Sequence, residues 1–176
     1  MNKAVFLDLD GTLVESYGWE HKIENFKLLP KVIEGLKILS DKFIFIIVSN
    51  QSGIARGFCT KENIENFNNK LLNELNKNNI HISKTYFCPH HPDDNCECRK
   101  PKLGMINKAV KEFNLDLKNS YFIGDKTSDI KCGENAGCKT ILVKTGSAGK
   151  DRLYEVKPNF IAENLFEAAK IILNKK

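Results

Sequence analysis

Compact apolar runs of strand length alternate with helical stripes along this chain, and that alternation leaves little choice of fold. Ala4–Leu9 reads as the first strand, and Lys42–Asn50, carrying Phe43-Ile44-Phe45-Ile46-Ile47-Val48, as the second. Ile80–Cys88 holds a third at Thr85-Tyr86-Phe87, Ser120–Ile123 and Lys139–Val143 are the fourth and fifth, and Phe160-Ile161 is a short edge strand. Between them lie helical patterns. One opens at Pro30 with Val32, Ile33, Leu36 and Leu39 on one face; another, capped by Thr60, carries Ile64, Phe67, Leu71 and Leu75. Met105–Phe113, Thr127–Ala136 (ended by Gly137) and Glu163–Asn174 complete the set. Apolar strands without polar alternation are buried on both faces. The expected architecture is α/β: a Rossmann-like, doubly wound parallel sheet with helices on both faces. No repeat or linker divides residues 1–176, so a single domain is expected, and no stretch between the first and last strands is long enough for a separate cap domain.

The strand ends carry the chemistry. Ala4-Val5-Phe6-Leu7 runs straight into Asp8-Leu9-Asp10-Gly11-Thr12. Two carboxylates at the end of a buried strand need a counter-charge or a shifted pKa. A hard divalent cation such as Mg²⁺ supplies the charge, and carboxylate oxygens suit it. A turn alone would also explain Asp and Gly here, but the other strand ends argue further. The second ends in Ser49-Asn50, and the fourth runs into Asp125 and Asp129. In an open α/β sheet all of these reach one edge, where ligands bind. Lys100, in the connection after the third strand, joins them. The set suits phosphoryl transfer, which needs a nucleophile, a proton donor, a metal and fixed donors around the phosphoryl group.

Two loops carry further candidates. Gly11 to about Lys27 has no helical or alternating pattern and is placed to fold over the acid pair as a flap. Its Trp19 and His21 are either substrate contacts or packing. The second loop holds Cys88-Pro89-His90 and, after five intervening residues, Cys96-Glu97-Cys98. A Cys₃His set is a structural zinc composition, against the plainer reading of a loop with reduced thiols. His91 competes with His90; the one-residue spacing shared by Cys88/His90 and Cys96/Cys98 favours His90. Cys59, Cys132 and Cys138 read as small semi-buried thiols.

Composition bounds the rest. The net charge of +5 is spread over interleaved Lys and Glu, with no basic stripe interleaved with aromatics, so nucleic acid is not an expected partner. The longest apolar run, Phe43–Val48, is far too short to cross a bilayer. Ala4–Leu7 is too short for a secretory signal. The expectation is a cytoplasmic chain, monomeric by default, with no membrane partner.

The motifs DLDGT at Asp8–Thr12, Ser49-Asn50, Lys100 and GDKTSD at Gly124–Asp129 fall in the order found in haloacid-dehalogenase-superfamily phosphatases, which this chain resembles over nearly its whole length. The resemblance implies that Asp8 attacks phosphorus and that Asp10 protonates the leaving oxygen and then activates water. It implies Mg²⁺ between Asp8, the Asp10 backbone carbonyl and Asp125, with Ser49 and Lys100 on the phosphoryl oxygens. Asp129 then orients Lys100 or a metal-bound water; the plain alternative is a solvated acid in a first helical turn. Within the superfamily, Ser49–Gly57 and Cys88-Pro89-His90-His91-Pro92 resemble the D-glycero-D-manno-heptose 1,7-bisphosphate 7-phosphatases. The short spacing of the ligand pairs resembles the related histidinol-phosphate phosphatases; a third, weaker likeness is to nucleic-acid 3′-phosphatases. In the heptose group the loop Ser16, Tyr17, Gly18, Trp19, the turn Ser49, Asn50, Gln51, Ser52, and Arg99 and Lys126 line a phosphorylated-sugar substrate, with Arg99 on the second phosphate. Leu9 and Val14 depart from that group, which has Arg and a polar residue there.

Overall fold

The computed structural model describes residues 1–16 and 18–174. Six strands, β1 (Ala4–Leu7), β2 (Ile44–Asn50), β3 (Ile82–Cys88), β4 (Tyr121–Gly124), β5 (Lys139–Val143) and β6 (Phe160–Ala162), form one sheet in the order β3-β2-β1-β4-β5-β6. Every pairing is parallel. Parallel neighbours need a crossover, and helices supply it: α1 (Val32–Lys37), α2 (Lys61–Asn76), α3 (Gly104–Phe113), α4 (Thr127–Ala136) and α5 (Leu165–Leu173).

The strand side chains alternate between two cores. Val5, Leu7, Phe45, Ile47, Tyr121 and Ile123 face one way, against Leu36 of α1, Leu71 of α2 and Ala169 of α5. Ala4, Phe6, Ile46, Val48 and Phe122 face the other, against Met105, Ile106 and Ala109 of α3 and Cys132 of α4. The doubly wound, two-faced sheet expected from the apolar runs is therefore present. Thr60 caps α2 as expected, its hydroxyl accepting from the Asn63 amide while the Asn63 side chain accepts from the Thr60 amide. Gly137 ends α4 in the left-handed conformation.

Several boundaries differ from expectation. β1 stops at Leu7 rather than Leu9, because the Leu9 carbonyl turns to accept from the amides of Leu13 and Val14. β3 is longer than Thr85–Phe87, since it pairs with β2 from Ile82 onward. The flap after Gly11 contains a 3₁₀ turn at Ile23–Asn25 and is pinned at its base by Glu15 N to Lys27 O, 3.0 Å, and Leu29 N to Leu13 O, 3.0 Å.

The order of strands fixes where a ligand can sit. β1, β2 and β3 step in one direction and β4, β5 and β6 in the other, so the crossovers part between β1 and β4. The crevice at the carboxyl ends of these two strands is the expected ligand position in such a sheet. The segments leaving β1 and β4 carry Asp8, Asp10 and Asp125 into it. No helix among the described residues is long and apolar enough to cross a membrane.

Candidate active site

Three carboxylates and one ammonium meet at the β1/β4 crevice. One oxygen each from Asp8, Asp125 and Asp129 lie within 4.8 Å of one another, and all three residues are buried. Lys100, 3% exposed, reaches between them. Its Nζ lies 2.6 Å from Asp8 Oδ1, 2.7 Å from Asp129 Oδ1 and 2.6 Å from the Val48 carbonyl, which uses all three of its donors. Burial disfavours its charge, but Asp129 and Asp8 outweigh burial and hold the ammonium's pKa above its ordinary value. The Asn50 side chain fixes the Lys100 backbone: Nδ2 donates to the Lys100 carbonyl (3.1 Å) and Oδ1 accepts from its amide (3.0 Å). Asn50, expected at the substrate, thus spends its polar atoms on Lys100. Asp129 is buried rather than solvated. One oxygen accepts from the Lys126 amide at the start of α4, 3.0 Å, and the other faces Lys100.

Asp125 has one oxygen satisfied and one not. Oδ2 accepts from the Ser147 amide at 2.6 Å, whereas Oδ1 is buried without a partner. Burial, then the charges of Asp8 and Asp129, push its carboxyl up to about 7. Burial and Asp8 likewise push Asp129 up to about 6. A buried carboxylate cluster with an orphaned oxygen fits a hard divalent cation. Gly11 makes room for the Asp125 carboxylate: at φ +85°, a Cβ there would lie 2.5 Å from Asp125 Oδ2.

The Asp10 carboxylate points away from that cluster. His21 Nε2 lies 3.0 Å from Oδ1 and 3.2 Å from Oδ2, and Gln51 Nε2 donates to Oδ2 at 2.9 Å. The same Gln51 nitrogen lies 2.7 Å from Ser49 Oγ. Burial alone would raise Asp10's pKa. The hydrogen bond and charge of His21, with the Gln51 amide, outweigh burial and hold it below the ordinary carboxylate value. Burial opposes charge on His21 in turn, and Asp10 overrides it, raising the imidazole's pKa.

The four cysteine-loop ligands converge as well. Cys98 Sγ is 3.1 Å from Cys88 Sγ, 3.5 Å from Cys96 Sγ and 3.2 Å from His90 Nδ1. Cys88 Sγ lies 3.5 Å from Cys96 Sγ and 3.6 Å from His90 Nδ1. Zn–S bonds of about 2.3 Å place tetrahedral ligands a little under 4 Å apart, so the set is slightly contracted but has the right composition and proximity for zinc. His91 stands apart: its Nδ1 accepts from the Asp93 amide at 3.3 Å, capping a 3₁₀ turn at Pro92–Asp94.

The HAD-hydrolase-like family model matches residues 97–168. A Haemophilus ducreyi protein named D-glycero-beta-D-manno-heptose-1,7-bisphosphate 7-phosphatase is 41% identical over 155 residues, 83% of this chain and 85% of that relative. A Pasteurella multocida protein of the same name is 36% identical across 100% of both chains. This chain belongs to the heptose-1,7-bisphosphate 7-phosphatase family. A Campylobacter jejuni member, 42% identical over 80% of this chain and 81% of its own, carries the alpha-anomer name instead. The fold agrees. The crystal structure of D,D-heptose 1.7-bisphosphate phosphatase from B. bronchiseptica, complexed with magnesium and phosphate, superposes with a TM-score of 0.90. It is 26% identical, with 99% of each chain covered.

The carboxylate cluster opens into a cleft of about 630 Å³, inside the usual range for small-ligand sites. Ser16, Gly18, Trp19, Ser49, Asn50, Gln51, Ser52, Arg99 and Lys126 all border it, with Asp8, Asp10, Lys100 and Asp129 at its floor. Tyr17, expected beside them, lies outside the described residues. Leu9 and Val14, the expected departures from the resembled group, are buried in the hydrophobic core and do not border the cleft.

Sequence reasoning did not find the far wall. Asp151, Leu153 and Tyr154, in the segment between β5 and β6, also border the cleft. Asp151 holds them there by accepting from the Thr127 amide (2.9 Å) and hydroxyl (2.6 Å) at the start of α4. His21 was not assigned to Asp10 either. No spacing rule links a flap histidine to an acid eleven residues earlier, and only the folded flap brings them together.

Proposed function

We propose that this chain removes the 7-phosphate of D-glycero-D-manno-heptose 1,7-bisphosphate through an aspartyl-phosphate on Asp8, as a step in making nucleotide-activated heptose. The observation that carries this reading is Lys100. It bridges Asp8 and Asp129 below a cleft whose rim bears Arg99, so one site offers both a reacting centre and a second anion contact. The named activity of the relatives supports the substrate.

An Asp8 oxygen attacks phosphorus, and the bond to the sugar oxygen breaks with its electron pair leaving on that oxygen. Asp10 passes it a proton. Asp10 then takes a proton from water as the water oxygen attacks phosphorus, releasing inorganic phosphate and restoring Asp8. Ser49 and Lys100 stabilise the transferring oxygens. As Asp8 gives up its charge to the new bond, the Lys100 donor that held it becomes free for the phosphoryl group. Asp8, Asp125 and the Asp10 carbonyl would hold Mg²⁺, which when bound neutralises phosphate charge. We read residues 1–176 as a single cytoplasmic domain whose site is closed by loops, working as a monomer on a small substrate, without nucleic acid or membrane.

Arg99 recognises the phosphate that stays on the sugar. Its Nη1 is buried without a protein partner, and its planar fork suits a phosphate. Arg99→Ala is expected to lower kcat/KM for the bisphosphate by about 10²-fold, and for p-nitrophenyl phosphate by less than about tenfold. Equal losses on both substrates would contradict a role at the second phosphate.

Cys88, His90, Cys96 and Cys98 hold a structural zinc ion that fixes the loop and so aims Arg99 and Lys100. Elemental analysis is expected to find about one zinc per chain, and a strong chelator to lower the melting temperature by about 10 °C or more and slow turnover. Protein purified without zinc and unaffected by the chelator would return the loop to ordinary thiols.

A further inference from the structure

The flap histidine His21 does not border the cleft, yet it contacts both carboxylate oxygens of the acid that does. It is 5% exposed, and its Nε2 spans both Asp10 oxygens at 3.0 and 3.2 Å. Its ring is itself held. It stands edge-on to Phe67 of α2, with centroids 5.1 Å apart at 86°, and Phe26 packs on the same ring at 5.4 Å. Gln51 completes the grip, donating to Asp10 Oδ2 at 2.9 Å while touching Ser49 Oγ at 2.7 Å. A carboxylate on two rotatable bonds would otherwise sample several rotamers. With the His21 proton on Nε2, two N–H donors from different elements, the flap and the turn after β2, fix one of them.

We propose that His21 is the positioning residue for proton transfer in this phosphatase: braced by Phe67, it holds the Asp10 carboxyl where it can serve the leaving oxygen. The inference rests on the phosphatase reading above and adds a residue that reading does not use. His21 does not line the cleft, so in this proposal it acts only through Asp10. Its donor also matches the carboxylate that remains once Asp10 has given its proton to the sugar oxygen. A misplaced acid matters in proportion to how badly the leaving group needs a proton. A sugar alkoxide is a poor leaving group and needs one. p-Nitrophenolate is a stable anion and leaves without help.

The experiment uses that difference. kcat/KM reports the steps through the first P–O cleavage. It is measured with Mg²⁺ on heptose 1,7-bisphosphate, on glycerol 3-phosphate as a plain alkyl ester, and on p-nitrophenyl phosphate. His21→Phe keeps the ring against Phe67 and removes the donor. It is expected to lose about 10²-fold on both alkyl esters and less than about fivefold on p-nitrophenyl phosphate. His21→Gln, whose amide nitrogen can stand near the Nε2 position, is expected to recover most of the loss; His21→Asn, one carbon shorter, is not. Should His21→Phe fail to fold, the Gln and Asn pair gives the same comparison. Equal losses on alkyl and aryl esters would mean that His21 only supports the flap, and would overturn the proposal. A Gln variant as selectively impaired as the Phe or Asn variant would also overturn positioning, in favour of a proton held on the imidazole. Wild-type protein inactive on all three esters would sink the phosphatase reading itself, and this proposal with it.

Discussion

Asp8→Asn is expected to lower turnover by about 10⁴-fold or more and to abolish any phosphate bound covalently to the protein during turnover. An amide nitrogen or oxygen at this position cannot form the acyl-phosphate. The fold is expected to survive. Asp8 does pair with Lys100 at 2.6 Å, but Lys100 keeps Asp129 and the Val48 carbonyl. The Asp8 charge also pushes up the carboxyl pKa values of Asp125 and Asp129, so its removal relieves repulsion as well as losing an ion pair. The two effects oppose each other, and the melting temperature should move by only a few degrees. Intact-mass analysis of acid-quenched reactions checks the covalent step. Turnover or a phosphorylated protein in the Asn variant would remove Asp8 as the nucleophile.

Lys100→Met is expected to damage activity and stability together. The activity loss is about 10²- to 10³-fold, the usual effect of removing one donor from a transferring oxyanion. The stability loss is about 3–5 kcal/mol, because Asp8 and Asp129 stay buried with no cation between them. In a chain of this length that lowers the melting temperature by about 10 °C or more. Adding Asp129→Asn removes one of the two stranded charges. The double variant is therefore expected to regain part of the lost stability and none of the lost activity. Thermal melts of the single and double variants check this in metal-free buffer. A single variant as stable as wild type would mean that the Lys100 ion pairs offset no more than their own desolvation.

The sheet was legible because buried parallel strands leave a simple trace. Val5 and Leu7 must face one core and Ala4 and Phe6 the other, so all four have to be apolar. The carboxylates gathered at the sheet edge were legible for a related reason. Asp8, Asp10 and Asp125 directly follow such runs, where a charge without a purpose would be costly. The Cys88, His90, Cys96, Cys98 set was legible because its four members fall in one short span. What the sequence did not yield depends on loops whose course no periodicity fixes. Gln51 and Asn50 looked like substrate contacts. Their amides also serve Asp10 and the Lys100 backbone, pairings between residues 41 and 50 positions apart. Asp151 caps α4 from a segment with no pattern of its own, 24 residues after Thr127. Thus the strand-end chemistry could be read directly, while the residues that position it emerged only when the loops were folded.

The most direct test is Mg²⁺-dependent phosphate release compared by kcat/KM across four substrates: the α and β anomers of heptose 1,7-bisphosphate, histidinol phosphate and a 3′-phosphorylated oligonucleotide. Relatives named for either anomer match this chain comparably well, at 42% and 41% identity, so the measurement also decides the anomer. The expected result is that one heptose bisphosphate leads the other two classes by about 10²-fold or more, the scale on which a satisfied or missing polar contact discriminates. A preference for histidinol phosphate would contradict the proposed function, and would make the close spacing of the two metal-ligand pairs a better guide to substrate than the Asn50–Gly53 turn.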